Sequence, residues 1–468
     1  MPVASVRLTR WLLSLGAASL VATAAAAQQR PVVAIVGATL WDGTGAPALA
    51  GAVVLVQGER ITCAGTPAAC PVPAGAERVD ASGRFLIPGL IDTHVHLLFR
   101  PNGVTHPSIR GDLRDLLARG VTATRDMGNN PERLLDAVRE AQPAPRVFPM
   151  QLVAGISFFS PESERTPGGM VRHAPASGGM RQLGWWPILY VSGGDPRQII
   201  RQAREAGAVG LKLYQGLDSA QVASLSAAAH AAGMPVWGHG WVQPASVREQ
   251  SQAGQDGVVH AAGLAGELVP RATRDSLRTS SALLRVTADS ARTAEAARRV
   301  QVLATLDTLA ARGTFLEPTL HATLLSAERA GRSRRRAQAL PDRYAIAASV
   351  FGMEVTRQAF ARGVPLTAGT DHVAYGPAAE RAQLETELAL FVDSIGMSPE
   401  RALLAATRDA ARAIGQPAVD LGTVVAGKKA DLVLLREDPL GDIRRIASVE
   451  WVMRGGVRYD PADLRGLP

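Results

Sequence analysis

His94 and His96 stand one residue apart at the end of the run Phe85-Leu-Ile-Pro-Gly-Leu-Ile-Asp-Thr-His-Val-His96. The apolar residues ahead of them read as a buried strand. Residues i and i+2 of a strand point to one side, so both imidazoles leave the strand's C-terminal end together. Neutral imidazole is the commonest side-chain ligand for zinc and similar metals. The pair is therefore half a metal site, or else two solvated histidines at a strand end. Lys212, in Gly210-Leu-Lys-Leu-Tyr214, is the second unusual residue. Only three of the chain's 50 basic residues are lysines (Lys212, Lys428 and Lys429), so generic positive charge is written here as arginine. A lysine inside an apolar strand then asks for something a guanidinium cannot do. A buried amine can lose its proton and act as a nucleophile. With carbon dioxide it gives a carbamate, an anionic oxygen ligand able to bridge two metals. The competing reading is an ammonium paired with a buried carboxylate.

These groups need a scaffold that points them at one another. Residues 88–415 alternate strand and helix signals. The strand candidates are Gly89–Asp92, Val121–Arg125, Arg146–Met150, Gly210–Leu213, Pro235–His239, Gly257–His260, Thr314–Glu317 and Pro365–Ala368. Ala-rich helical stretches at 196–207, 218–232 and 383–395 lie between several of them. Eight strands with intervening helices predict an α/β fold, a (β/α)8 TIM barrel, whose catalytic groups sit at the C-terminal strand ends. Six potential ligands fall there: His94, His96, Lys212, His239, His260 and Asp371. Four of the nine histidines thus land on strand ends at one face. Residues 30–87 and 416–468 both alternate short apolar strands with turns. They predict one discontinuous small β-sandwich domain flanking the barrel, the first part with an antiparallel texture. Residues 154–195 are long enough to form a lid, and 266–312 look helical and Arg-rich.

Composition narrows the partners. The chain has 468 residues and a formal charge of +8. Its basic residues are scattered apart from Arg334-Arg335-Arg336, and aromatics make up only 4%, which argues against nucleic acid. Residues 1–27 read as a secretory signal: Arg7 and Arg10, an apolar middle from Trp11 to Val21, then Ala25-Ala26-Ala27. No later window is long and apolar enough for a span, so an exported protein without a membrane anchor is expected, periplasmic or secreted. In an oxidising compartment Cys63 and Cys70 would pair as a loop-closing disulfide.

The motifs Pro88-Gly-Leu-Ile-Asp-Thr-His-Val-His96, Gly369-Thr-Asp371 and the tail Leu421-Gly-Thr-Val-Val-Ala-Gly-Lys-Lys-Ala-Asp-Leu432, with the lysine strand and the two single histidines, resemble the amidohydrolase superfamily. The likeness covers essentially the whole chain after residue 27. It is strongest to the imidazolonepropionase-like and Xaa-Pro dipeptidase (prolidase)-like branch, which includes ochratoxin-degrading members. Imidazolonepropionases proper hold one metal and use no carboxylated lysine, so Lys212 points to the two-metal peptidase-type members. The resemblance implies that His94, His96 and Asp371 hold one divalent ion and His239 and His260 a second. Carboxylated Lys212 would bridge them together with a hydroxide. Zinc is the first guess from the ligand set, with manganese or cobalt able to substitute. It further implies hydrolysis of an amide or peptide bond in a dipeptide, an Xaa-Pro-type compound or an N-acyl amino acid, ochratoxin-like amides included, with Asp371 as general base and then acid. A lactonase or esterase on the same scaffold is the alternative. Homo-oligomers are possible on the same grounds.

Tyr214 lies two positions beyond Lys212 and would share its orientation, binding substrate or capping the barrel. His173, with Arg172, sits in the long segment after the third strand and could meet substrate. His372 follows Asp371 and could line the pocket. His321 reads as structural, and His106 and His230 as surface residues. Asp126, ending the second strand, is a candidate to orient a metal-bound histidine.

Overall fold

The computed structural model of the chain describes residues 31–98, 109–155, 188–190, 194–276, 294–332, 340–373 and 381–466. Five strands precede the histidine pair: β1 (Val33–Leu40), β2 (Leu49–Gln57), β3 (Arg60–Gly65), β4 (Glu77–Asp80) and β5 (Phe85–Pro88). Nine more follow: β6 (Leu90–His96), β7 (Val121–Asp126), β8 (Arg146–Gly155), β9 (Ile188–Tyr190), β10 (Gly210–Leu213), β11 (Val236–His239), β12 (Gly257–Val259), β13 (Phe315–Glu317) and β14 (His372–Val373). The last three are β15 (Leu432–Leu435), β16 (Val449–Arg454) and β17 (Val457–Tyr459).

The two chain ends build one sheet, in the order β17-β16-β15-β5-β1-β2-β3, with β4 also on β1. Its seam is the antiparallel pair β5–β15, with Pro88 opposite Leu432 and Phe85 opposite Leu435. Alternate residues Ile35, Val54, Leu86, Leu432 and Leu434 form its buried face with Trp451. The sheet is mixed, not antiparallel as its texture suggests: β4 and β5 both run parallel to β1. Residues 66–76 carry the chain back to the start of β1, so β4 and then β5 follow it in the same direction. Cys63 and Cys70 are joined by a disulfide at the start of that return.

Gly89 is the pivot from this sheet to the second one. A Cβ there would fall 2.1 Å from Thr122 Oγ1, so only glycine lets β6 leave along β7. The second sheet runs β13-β12-β11-β10-β8-β7-β6-β14, with β9 on β8, and every pairing in it is parallel. Parallel strands buried on both faces read as continuous apolar runs, and β6 is buried from Leu90 to Val95. Helices Pro131–Glu140, Pro196–Glu205 and Ser219–Ala231 return the chain between strands. Their starts are written locally. Asn130 and Asp195 cap helices with proline in the first turn, and Asp218 forms a capping box with Gln221.

The predicted eighth strand differs. Pro365–Ala368 is not a regular strand. Leu316 donates to the Pro365 carbonyl, Thr367 to that of Leu316, and Thr93 to that of Ala368. On the β6 side the ladder is interrupted, because the Ala368 and Ile91 amides donate to the Ala405 and Ala406 carbonyls at the end of helix Pro399–Ala405. Regular pairing with β6 resumes at β14, past Asp371. Most of 154–195, the Arg334–Arg336 triplet and residues 1–27 lie outside the described residues. Among the described residues no helix is long and apolar enough to cross a membrane.

Candidate metal centre

The C-terminal ends of the parallel strands bring the sequence candidates together. His94 Nε2 lies 3.3 Å from His96 Nε2 and 3.3 Å from Asp371 Oδ1, and His96 Nε2 lies 3.4 Å from the same oxygen. A tetrahedral ion with ligands at 2.0–2.1 Å has ligand–ligand edges of about 3.3–3.4 Å. The three atoms therefore stand as one face of such a tetrahedron. His94 is buried, whereas the Asp371 side chain is 29% exposed, so the open side of the triangle is at Asp371. His260 adjoins His94 with ring centroids 5.0 Å apart, and His239 adjoins His260 at 4.6 Å. The second predicted pair thus lies against the first.

Hydrogen bonds from below orient the rings. His94 Nδ1 faces Glu317 Oε1 at 2.6 Å, which leaves Nε2 for the triangle. His260 Nδ1 faces Thr319 Oγ1 at 2.8 Å. His239 differs: its Nδ1 accepts from the Trp241 amide at 3.2 Å. Asp92 holds β6 to the Asp371 turn, accepting from the amides of His94 and Thr370 and from the Thr370 hydroxyl. His260 (φ 65°), Thr319 (φ 53°) and Asp371 (φ 56°) all adopt left-handed backbone, a costly conformation for such residues that clusters at functional sites. The loops bearing His239 and His260 approach through paired glycines. A Cβ on Gly240 would lie 2.8 Å from the Gly263 Cα.

Lys212 is 1% exposed, and its Nζ has no hydrogen-bond partner. The paired-ammonium reading is not what the fold contains, because the nearby carboxylate of Glu317 is bonded to Arg125 instead, at 2.9 Å. Burial pulls the Lys212 amine down to about 7, only partly opposed by Glu317. Burial likewise lowers His94 and His239, and takes His260 down to about 3. These imidazoles are neutral at neutral pH, the form that ligates a metal. Burial would raise Asp371, but His94, His96 and His260 outweigh it and hold the carboxyl below its usual range. A partnerless amine that burial drives toward its neutral form, near three lone-pair donors facing one another, fits a divalent centre.

Tyr214 is buried with its ring against His239, centroids 4.6 Å apart. His372 uses Nδ1 on the Ala382 carbonyl at 3.1 Å, while its Nε2 is buried without a partner. His321 Nδ1 accepts from the Gln383 amide, a structural role. His230 pairs with Asp256 at the surface. Asp126 does not reach a histidine ring: its carboxylate accepts from the amides of Leu97, Gly128 and Asn129 and from the Asn129 side chain. It braces the turn after His96, and the carboxylate that meets an imidazole of the triangle is Glu317, at His94. His173, Arg172 and His106 lie outside the described residues. Sequence reasoning passed over Glu317 and Arg125. The argument that singled out Lys212, a charge inside a buried strand, would have found both.

A model of the amidohydrolase family matches residues 85–458. The chain belongs to the amidohydrolase family. Relatives and structural neighbours named imidazolonepropionase, ochratoxinase and prolidase are similar to this chain. It is 48% identical over 48 residues to an imidazolonepropionase of Arthrobacter sp., 10% of this chain and 12% of that one. It is 36% identical over 97 residues to an ochratoxinase of Aspergillus niger, 20% of this chain and 19% of the other. The chain thus aligns with less than a fifth of the length of these curated relatives. In fold it is similar to the A. niger ochratoxinase structure, with a TM-score of 0.67 at 19% identity, covering 92% of this chain and 96% of that one. It is equally similar to a Xaa-Pro dipeptidase with methionine bound in its active site, with a TM-score of 0.67 at 19% identity, covering 92% and 100%.

Proposed function

We propose that this amidohydrolase-family hydrolase is an exported, binuclear metal-dependent enzyme. It cleaves an amide or peptide bond in a small substrate: a dipeptide, an Xaa-Pro-type compound or an N-acyl amino acid, ochratoxin-like amides included. The observation that carries this reading is the partnerless Lys212 Nζ buried beside the His94–His96–Asp371 triangle. In this reading the parallel sheet closes through Pro365–Ala368 into a (β/α)8 barrel over 88–415. Segments 30–87 and 416–468 pack as a small β-sandwich. Residues 1–27 direct export, which the Cys63–Cys70 disulfide supports.

His94, His96 and Asp371 would hold one ion and His239 and His260 the other, with zinc the first choice for this N/O donor set. Two bound divalent ions supply an activated water and polarise the scissile carbonyl. The neutral form of the Lys212 amine, made accessible by burial, would add to carbon dioxide, forming its N–C bond and releasing a proton. This would turn a buried amine into an anionic oxygen donor for the two histidine sets. Asp371, partly exposed on the open side, would take the proton of the attacking water at its carboxylate and pass it to the leaving amine. Tyr214, packed on His239, meets the substrate.

The test is a screen of dipeptides and N-acyl amino acids with protein prepared in zinc and bicarbonate, beside Lys212→Ala and Lys212→Arg. Wild type should bind about two metals per chain and turn over at least one amide, consistent with a paired-ion site. Both variants should lose metal and activity. Full activity in both would defeat the carbamate, and release of products other than a carboxylate and an amine would defeat amide hydrolysis.

A further inference from the structure

Two of the largest fully buried side chains in the described structure are basic, Lys212 and Arg125. Arg125 offers nothing directly to the His94–His96–Asp371 triangle. Its Nε donates to the Thr93 carbonyl at 2.8 Å, Nη1 to Ala413 at 3.2 Å and Nη2 to Glu317 Oε2 at 2.9 Å. The guanidinium carbon sits 3.7 Å from the centre of the Trp237 ring, and Trp237 Nε1 donates to the same Ala413 carbonyl. Glu317 is equally constrained. One oxygen takes Arg125 and the Thr93 hydroxyl, and the other meets His94 Nδ1 at 2.6 Å. Neither side chain touches solvent.

We propose that Glu317 is the positioning residue of His94, and that Arg125, clamped on Trp237, exists to hold that carboxylate in place. The inference rests on reading the His94–His96–Asp371 triangle as a metal site. An imidazole that donates Nδ1–H to a carboxylate keeps its Nε2 lone pair, fixes its ring plane and becomes a stronger ligand. A carboxylate buried this deeply is tolerated only with a matched cation and full hydrogen bonding, which Arg125 and Thr93 supply. Gly369 keeps the space clear, since a Cβ there would lie 2.6 Å from Glu317 Cδ and 2.7 Å from the His94 Cβ. The glycine of the Gly369-Thr-Asp371 motif thus makes room for the carboxylate under the first histidine. A purely structural salt bridge between β7 and β13 would need no oxygen aimed at His94.

The test strips the protein of metal and titrates Zn2+ alone back against a chromophoric chelator. It compares wild type, Glu317→Gln, and the double variant Arg125→Met/Glu317→Gln, which leaves no buried charge unpaired. Co2+-loaded absorption spectra and melting curves of the stripped proteins run alongside. Both variants should bind Zn2+ roughly 10- to 100-fold more weakly and show altered Co2+ spectra. The double variant should regain melting temperature without regaining affinity. Wild-type affinity in either variant overturns the inference, as does affinity that returns with stability in the double. If the variants do not fold, the wild type decides: Zn2+-loaded protein must show His94 as the Nδ1–H tautomer by 1H–15N spectroscopy, and the Nε2–H form overturns it. A wild type that takes up no Zn2+ fails on different evidence, defeating the metal-site reading itself.

Discussion

At the scale of single residues, the site is made by atoms that have nowhere else to go. Lys212 keeps an amine without a partner because Arg125 has taken Glu317. His94 presents Nε2 because Glu317 occupies Nδ1. Gly369 follows the same logic from the other side, because its missing side chain is space that Glu317 and His94 fill. Gly369→Ala should therefore cost about 1–3 kcal/mol by overpacking. It should also weaken metal uptake, since the clash falls on the histidine's support. Denaturant unfolding of the stripped protein, with metal analysis, checks this. Normal stability and normal uptake together would show that the contact relaxes freely.

Elements place these residues through short, strained ends. The turn after β13 carries Thr319, and the helix that follows, Leu320–Arg332, begins on a buried carboxyl group. Glu387 accepts from the amides of Leu320 and His321. Burial, against those two donors, raises Glu387 to about 8. A carboxyl whose folded value exceeds its unfolded one binds protons more readily in the fold. Stability should therefore fall as pH rises from the ordinary carboxyl range to about 8, by less than about 1.4 kcal/mol per pH unit. Glu387→Gln should flatten that slope, read as midpoint denaturant concentration between pH 5 and 8. An unchanged slope would place the titration elsewhere. The eighth strand shows how elements outrun periodicity. Pro365–Ala368 has strand-like residues, yet the Ala405 and Ala406 carbonyls take the Ala368 and Ile91 amides. No pattern within those four residues announces a helix end as the hydrogen-bond partner.

For the whole molecule, the mixed sheet from both chain ends is joined to the parallel sheet at Gly89, and Asp431 reinforces the joint. Its carboxylate takes Arg146 at 3.0 Å and the Gly455 amide, while its carbonyl takes the Gly89 amide. The disulfide belongs to this sheet and not to the site. Its cysteines are seven residues apart, so replacing both with serine should cost about 2–3 kcal/mol by loop entropy. Metal content should not change. A matched fall in metal content would reveal that the two sheets unfold as one unit. The two-ended domain is legible in the sequence because each strand carries its own alternation. The parallel pairing of β1 with β4 and β5 is not, because direction depends on how residues 66–76 travel.

Local pattern alone singled out the candidate ligands: which residues are histidine, lysine or aspartate, and that each ends an apolar run, because strand periodicity fixes where a side chain points relative to its neighbours. Tertiary packing decided which buried charges become partners. Arg125 and Glu317 meet across 192 residues, and that choice leaves Lys212 unpaired and His94 turned toward His96 and Asp371. In a low-dielectric interior every buried charge must find its counterpart or change its protonation, and which counterpart it finds depends on three-dimensional proximity, which spacing along the chain does not encode.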